Sequence, residues 1–281
     1  MAAPSSYGPE RMRAFGLCLV AGLALSALAA GADTGLRRLG QRADLLGWEA
    51  VGRLDHTDGA FCTGVLVAPD LVLTAAHCLF GPEGARVDPG RLTFRAGLRD
   101  GQAIAEVRGR RAVIHEDYRD RSENALARLE ADAALVQLAA PIPAATAAPF
   151  AVGRPVPRGG TVSVVSYARG RAAALSWQRG CTVLDRGEAT YALSCDVWFG
   201  SSGAPVFETS SGRARIVSIV SGGHREEGES LAFGLDAGRV LGDLTDALRA
   251  GRGVFPKEGF AARRLPAADA NREIGARFVR P

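Results

Sequence analysis

The chain has 281 residues, a formal net charge of +4, 47% hydrophobic and 23% charged residues, and five cysteines. This is ordinary globular composition with enough apolar material for a core, which excludes disorder as the main state. A single long apolar run, at residues 14–30, excludes a multi-span membrane protein, and a small charge excess without basic clusters interleaved with aromatics argues against nucleic-acid binding.

Arg11 and Arg13 precede the apolar run, and Ala-x-Ala patterns at 27–29 and 30–32 follow it. A basic flank, a short apolar core and a small-residue exit describe a cleavable export signal over residues 1–32. The rival reading is a membrane anchor, for which about 17 Ala- and Gly-rich residues sit at the short limit. Residues 33–44 read as a short propeptide or an arm. From Trp48 onward, short apolar runs separated by Gly, Pro, Asp or Arg predict strands at 65–67, 71–73, 92–96, 103–107, 112–115 and 133–138. These make a first β unit over residues 45–140. Pro141, Pro143, Pro149, Pro155 and Pro157 rule out a central strand or a helix, so residues 141–160 form a linker. Strands resume at 161–167, 173–178, 192–195, 204–207, 214–221 and 231–234. A helix is predicted at 236–249, where Val240, Leu241, Leu244 and Leu248 share one face, closing a second β unit over residues 161–250. The basic tail, residues 251–281, shows no periodicity and reads as a loosely packed extension.

Cys18 would leave with the signal, so the exported chain keeps Cys62, Cys78, Cys181 and Cys195. An even number in an exported chain points to disulfides, and four cysteines allow three pairings. Local pairing, Cys62–Cys78 and Cys181–Cys195, would put one bridge in each half. No Cys-x-x-Cys pair is present, so a zinc site is set aside and neither metal nor cofactor is expected.

Three segments carry chemistry. Leu71-Val-Leu-Thr-Ala-Ala-His77-Cys78 places a histidine just after a strand. Asp132 directly precedes the buried-looking run Ala133–Leu138. Gly200-Ser-Ser202-Gly-Ala-Pro205 sets a serine between glycines, before another strand. A serine hydroxyl is a weak nucleophile and needs a neighbouring base. Histidine supplies it near neutral pH, and a buried carboxylate fixes the histidine tautomer and stabilises the imidazolium. Gly200 and Ser202 would offer backbone amides to a developing oxyanion. Each motif has a bland reading: a lone histidine caps or decorates a surface, Gly-Ser-Ser-Gly is a turn, and Asp117 or Asp120 could compete with Asp132. The combination in the order His, Asp, Ser on a two-part β pattern outweighs those readings.

With Cys62-Thr-Gly-Val-Leu-Val, Thr74-Ala-Ala-His-Cys78, Asp132-Ala-Ala-Leu-Val-Gln-Leu138, Gly200–Pro205 and Ile219-Val-Ser-Gly-Gly223, the chain resembles the trypsin-like, chymotrypsin-fold serine peptidases. Its motifs are most similar to the secreted bacterial branch that includes the V8-type glutamyl endopeptidases. The resemblance covers residues 48–249. It implies an all-β fold of two six-stranded antiparallel barrels with the active site between them, plus a C-terminal helix. It also implies His77 as base, Asp132 as its orienter and Ser202 as nucleophile.

The positions around the nucleophile and the pocket bear on function. Ser201 stands where the digestive enzymes carry an Asp that pairs with a freed amino terminus, so that ion-pair switch is not expected here. Asp196, six residues before Ser202, occupies the place of a pocket-floor carboxylate, and Ser221, Gly222 and Gly223 would form a pocket wall for substrate. Val220 stands where glutamyl-specific relatives have a histidine, so the leaning is to a basic or mixed preference over glutamate. Gly223 could pair its backbone with an extended substrate.

The expectation is an exported serine endopeptidase acting through an acyl-enzyme: secreted or periplasmic, monomeric, meeting polypeptide substrates, and touching a membrane only during export. The alternative is a catalytically inactive binding module on the same fold. A quality-control protease with a C-terminal peptide-binding domain is disfavoured by the short segment after Leu248, and an α/β-hydrolase esterase by chain order.

Overall fold

Leu92, Phe94 and Ala96 are buried while Thr93 and Arg95 between them are not, the period-two pattern of a strand with one face on a core. The computed structural model describes residues 35–210, 212–226 and 229–256, and among these residues thirteen strands occur. The first seven are β1 (Leu36–Arg38), β2 (Val51–His56), β3 (Phe61–Ala68), β4 (Leu71–Thr74), β5 (Leu92–Ala96), β6 (Ala105–Ile114) and β7 (Ala134–Leu138), with a short helix α1 (Ala125–Glu130) between β6 and β7. The rest are β8 (Thr161–Ser166), β9 (Ser176–Arg186), β10 (Thr190–Leu193), β11 (Pro205–Glu208), β12 (Arg215–Glu226) and β13 (Glu229–Asp236), followed by helix α2 (Ala237–Ala250).

Strands β2-β3-β4-β7-β6-β5 close one antiparallel barrel. Strands β8-β9-β10-β13-β12-β11 close a second, because β8 pairs with both β9 and β11. Closure leaves no free edge in either ring. The extra strand β1 adds to β9, pairing Leu36 with Gln178, and Leu39 beyond it is buried. Leu54, Leu66, Val72, Phe94 and Val136, which the strand registers place on one face, fill the first barrel, while Val164, Val183, Tyr191, Leu193, Val206 and Val217 fill the second. Trp48 joins them, its ring 5.0 Å from that of Trp177 and 5.1 Å from that of Phe207. Tyr167, fully buried, donates its hydroxyl to Leu98 O at 2.9 Å, and burial holds its phenol well above the usual range, protonated as that donor requires.

Helix α2 starts where the Asp236 carboxylate accepts from the amides of Gly238 and Arg239. It buries Ala237, Val240, Leu244 and Leu248 and stops at Gly251, whose φ of 70° suits glycine. Phe255 exchanges backbone hydrogen bonds with Ala112, so the chain after α2 lies along β6 as far as Pro256. The expected signal over residues 1–32 and the tail beyond residue 256 lie outside the described residues. Among those described, no helix is long and apolar enough to cross a membrane.

The strand expectations differ from the structure where charge interrupts an apolar run. Arg108, Arg110 and Arg111 break the pattern, yet β6 is one strand that shifts register between Gly109 and Arg111. β9 likewise runs to Arg186, through Arg179 and Gly180. β1, β2 and α1 were not expected. α1 buries no side chain, which removes the periodic signal by which a helix is recognised.

Candidate active site

β4 ends at Thr74, and the chain tightens into a 3-10 turn, Ala76–Leu79, that carries His77. Cys78 in that turn is bridged to Cys62 on β3, which fastens the histidine turn to the barrel wall. α1, capped by the Asn124 side chain on Ala127 N, delivers Asp132 to the mouth of the same barrel. Asp132 is 3% exposed, and Oδ2 lies 2.7 Å from His77 Nδ1 while Oδ1 accepts from the His77 amide at 2.9 Å. Both carboxylate oxygens therefore bind one residue, fixing both the ring and its backbone. Asp117 and Asp120 do not take this place; Asp120 accepts from the Tyr118 hydroxyl.

A third partner comes from the second barrel. β12 shifts register between Val220 and Gly222, leaving Ser221 as the extra residue of a bulge. The Ser221 hydroxyl donates to Asp132 Oδ2. Burial opposes a charge on the His77 ring, but the hydrogen bond to Asp132 and the charges of Asp132 and Asp120 outweigh it. The imidazole pKa consequently lies above its ordinary value.

Ser202 sits on the turn before β11, at the cleft that His77 also lines. Gly200 and Gly203 flank it with φ of 95° and 76°, values that glycine adopts without strain. A Cβ at Gly203 would lie 2.2 Å from Thr74 Oγ1 and 2.3 Å from Thr63 O, and one at Gly200 would lie 2.3 Å from Phe61 Cε2. The turn is therefore pressed against β3 and β4 of the first barrel with no room for a side chain. Among the described residues, the amides of Gly200 and Ser202 have no hydrogen-bond acceptor, and no hydrogen bond joins the Ser202 hydroxyl to His77. Such bonds are often long before substrate arrives.

The cleft has a volume of about 500 Å³ and is lined by His77, Ser202 and two walls, Val197–Phe199 and Val220–His224. Trp198 and Phe199 are 47% and 62% exposed, a T-shaped pair at the rim. Ser221, Gly222 and Gly223 line the cleft, and Gly223 packs so closely that a Cβ there would lie 2.4 Å from Val197 Cγ2. Asp196 is not among the lining residues. It is 6% exposed, and its amide donates to Gln178 Oε1 at 2.7 Å. Cys195 beside it is bridged to Cys181 on β9. The ligand atoms of Cys62, His77 and Cys78 cluster within 4.8 Å, but both sulfurs are in the disulfide and offer no thiolate to a metal.

In the sequence Thr63 is one residue of the Cys62-Thr-Gly-Val-Leu-Val motif, and the structure gives it contacts of its own. Its amide donates to Ser202 O at 2.9 Å, and its hydroxyl donates to Gly200 O at 2.9 Å while accepting from Tyr167 N at 3.0 Å. One buried residue of the first barrel thus holds the serine turn at two points, Ser202 through its amide and Gly200 through its hydroxyl. No local pattern in the sequence distinguishes this threonine, since its partners lie more than a hundred residues away.

The sequence profile of the trypsin-like peptidase domain matches residues 62–215. No curated protein matches the sequence. Among solved structures, a Glu endopeptidase in complex with MPD superposes with a TM-score of 0.63 at 18% identity, covering 77% of this chain and 97% of that one. At that identity the likeness concerns the fold.

Proposed function

The chain belongs to the trypsin-like peptidase family, and on that premise we propose that it is an exported serine endopeptidase of the V8-like kind, working as a monomer on polypeptides. The observation that carries the reading is the two-point grip of Asp132 on His77, at the edge of the cleft that Ser202 lines. Asp132 accepts from Nδ1–H and so leaves Nε2 as the basic nitrogen facing the serine. Nε2 takes the Ser202 proton as the oxygen attacks the substrate carbonyl. The resulting oxyanion is received by the amides of Gly200 and Ser202, each such donor contributing on the order of 3 kcal/mol to the transition state. The imidazolium, stabilised by Asp132, then protonates the leaving amine. Water repeats the sequence on the acyl-enzyme, with His77 again the base.

The two disulfides fit an oxidising destination, secreted or periplasmic, with residues 1–32 as the signal that takes the chain there. Residues 45–140 and 161–250 would be the two barrel units, joined by residues 141–160. Leu36–Arg38 pairs with β9, which supports an arm rather than a detachable propeptide for residues 33–44. The cleft walls, apolar at Val197, Trp198, Phe199 and Val220 and open at Gly222, favour an uncharged side chain before the cut. This departs from the leaning to a basic or mixed preference, because Asp196 is buried and is not among the residues that line the cleft.

A fluorophosphonate probe tests the reading. Wild type should be labelled on Ser202, and Ser202→Ala should not. An unlabelled wild type, or equal labelling of both, would refute the proposal and favour a binding module.

A further inference from the structure

Resting on that reading, we propose that Arg171 is a positioning residue for the oxyanion site. In this proposal it props the serine turn from the loop between β8 and β9, in place of any freed amino terminus. The residue before Ser202 is Ser201, an uncharged hydroxyl that is 1% exposed. Its oxygen accepts from Trp198 N and from Arg171 Nη2, each at 3.3 Å, and lies 3.2 Å from Tyr167 O and 3.4 Å from Ser166 Oγ. The same guanidinium donates to Ser166 O at 2.8 Å through Nη1 and to Ser166 Oγ at 3.0 Å through Nη2. The planar fork therefore clamps the end of β8 to the residue next to the nucleophile, a geometry a flexible ammonium reproduces only in part.

The loop that carries Arg171 is itself braced. Arg53 Nη1 on β2 donates to Ala172 O at 3.0 Å, and Asp100 N donates to Ala173 O at 2.7 Å. Two residues earlier, Arg169 N donates to Phe199 O at 2.7 Å, and its guanidinium lies 5.0 Å over the Phe199 ring. That backbone bond sets a peptide plane. In a trans peptide the carbonyl and the following N–H point in opposite directions. Holding Phe199 O on the loop turns the Gly200 N–H away from it, and a φ of 95° completes the turn. Arg169 thus fixes the Phe199–Gly200 peptide through its backbone, and Arg171 fixes Ser201 through its side chain. Between them lies the amide that would receive the oxyanion.

The test uses the exported chain with Arg171→Ala, Arg171→Lys and Ser201→Ala. Peptide turnover, fluorophosphonate labelling rate and melting temperature are measured for each. Losing one oxyanion donor outright costs about 100- to 1,000-fold in kcat. Loosening its support in Arg171→Ala should cost about 10- to 100-fold in kcat, with KM within about threefold. Arg171→Lys should retain part of the lost rate, and millimolar guanidinium should restore part of it to Arg171→Ala but not change wild type. Should Arg171→Ala fail to fold, Ser201→Ala removes only the acceptor and should lower kcat about tenfold. Wild-type turnover in a folded Arg171→Ala or Ser201→Ala overturns the inference. So does a loss confined to KM, or a loss that neither lysine nor guanidinium relieves. A wild type that the probe does not label defeats the peptidase reading itself and takes this inference with it, whereas a labelled wild type and an equally labelled Arg171→Ala defeat the inference alone.

Discussion

The Thr63 amide on β3 of the first barrel donates to the carbonyl of Ser202 on the second, 139 positions along the chain, at 2.9 Å. The same residue's hydroxyl bridges Gly200 O and Tyr167 N. The placement of the candidate nucleophile relative to the candidate base is therefore a property of the contact between the barrels. Thr63→Val keeps the shape and removes the hydroxyl, leaving buried polar groups without a partner. A loss of about 1–3 kcal/mol in chemical denaturation is expected, together with a fall in kcat. Unchanged stability and turnover would mean that the bridge does not hold the turn.

Gly203→Ala should be far more damaging than an ordinary Gly-to-Ala change. The added carbon meets Thr74 Oγ1 at 2.2 Å and Thr63 O at 2.3 Å, and φ is 76°. Backbone strain and overpacking together predict a loss of at least about 3 kcal/mol, read as a lowered denaturation midpoint. Gly222→Ala is the control: a Cβ there meets nothing within 4 Å, so the midpoint should hardly move.

The pH profile follows from His77. Turnover needs the neutral ring, and the Asp132 contact outweighs burial and raises the pKa above 6.5. The rising limb of kcat/KM should therefore have its midpoint above 6.5. Asp132→Asn removes the charge and leaves burial, which should move that limb below the ordinary histidine value and cost about 10⁴-fold in kcat. For stability the sign is opposite to that of a depressed carboxylate. The contribution of His77 is complete below its unfolded pKa and is lost as pH rises through the raised folded one. A wild-type limb at or below 6.5 would contradict the assignment.

Replacing Cys62 and Cys78 together by serine opens a loop with a sequence separation of 16. In the chain-entropy description this costs about 3 kcal/mol. Because Cys78 adjoins His77 in one short turn, activity should fall further than the folded fraction does, a comparison available from denaturation and turnover on the same sample.

Cleavage-site profiling on a peptide library tests the cleft walls. Uncharged side chains should dominate before the cut, and Asp196→Ala should leave that preference in place. A basic preference that disappears in Asp196→Ala would restore the carboxylate to the pocket floor.

Much of the fold is local and was readable as such. β5 was expected over 92–96 and is found at Leu92–Ala96, because its alternation of apolar and polar residues is complete. Helix α2 announces itself by Asp236, four apolar residues on one face and Gly251. The arginines of β6 divide its apolar pattern into two runs, although a barrel strand with an exposed face tolerates charge without ending. β2 carries no clear strand pattern for the same reason, with Arg53, Asp55 and His56 standing among its apolar residues. The arm β1 has only three residues, and its place is decided by β9.

The sequence by itself determined two β units joined by a Pro-rich linker, because those are written in periodicity, and its short motifs singled out His77, Asp132 and Ser202 and carried the resemblance that implies two barrels. Only the tertiary structure decided which carboxylate meets His77, that Ser221 turns to Asp132, that Asp196 is not among the residues lining the cleft, and that Thr63 and Arg171 hydrogen-bond to the serine turn. The physical reason is separation. Each of these contacts joins residues brought together by barrel closure or by the packing of one barrel against the other, and a hydrogen bond between segments 30 to 140 positions apart leaves no trace in the local pattern at either end.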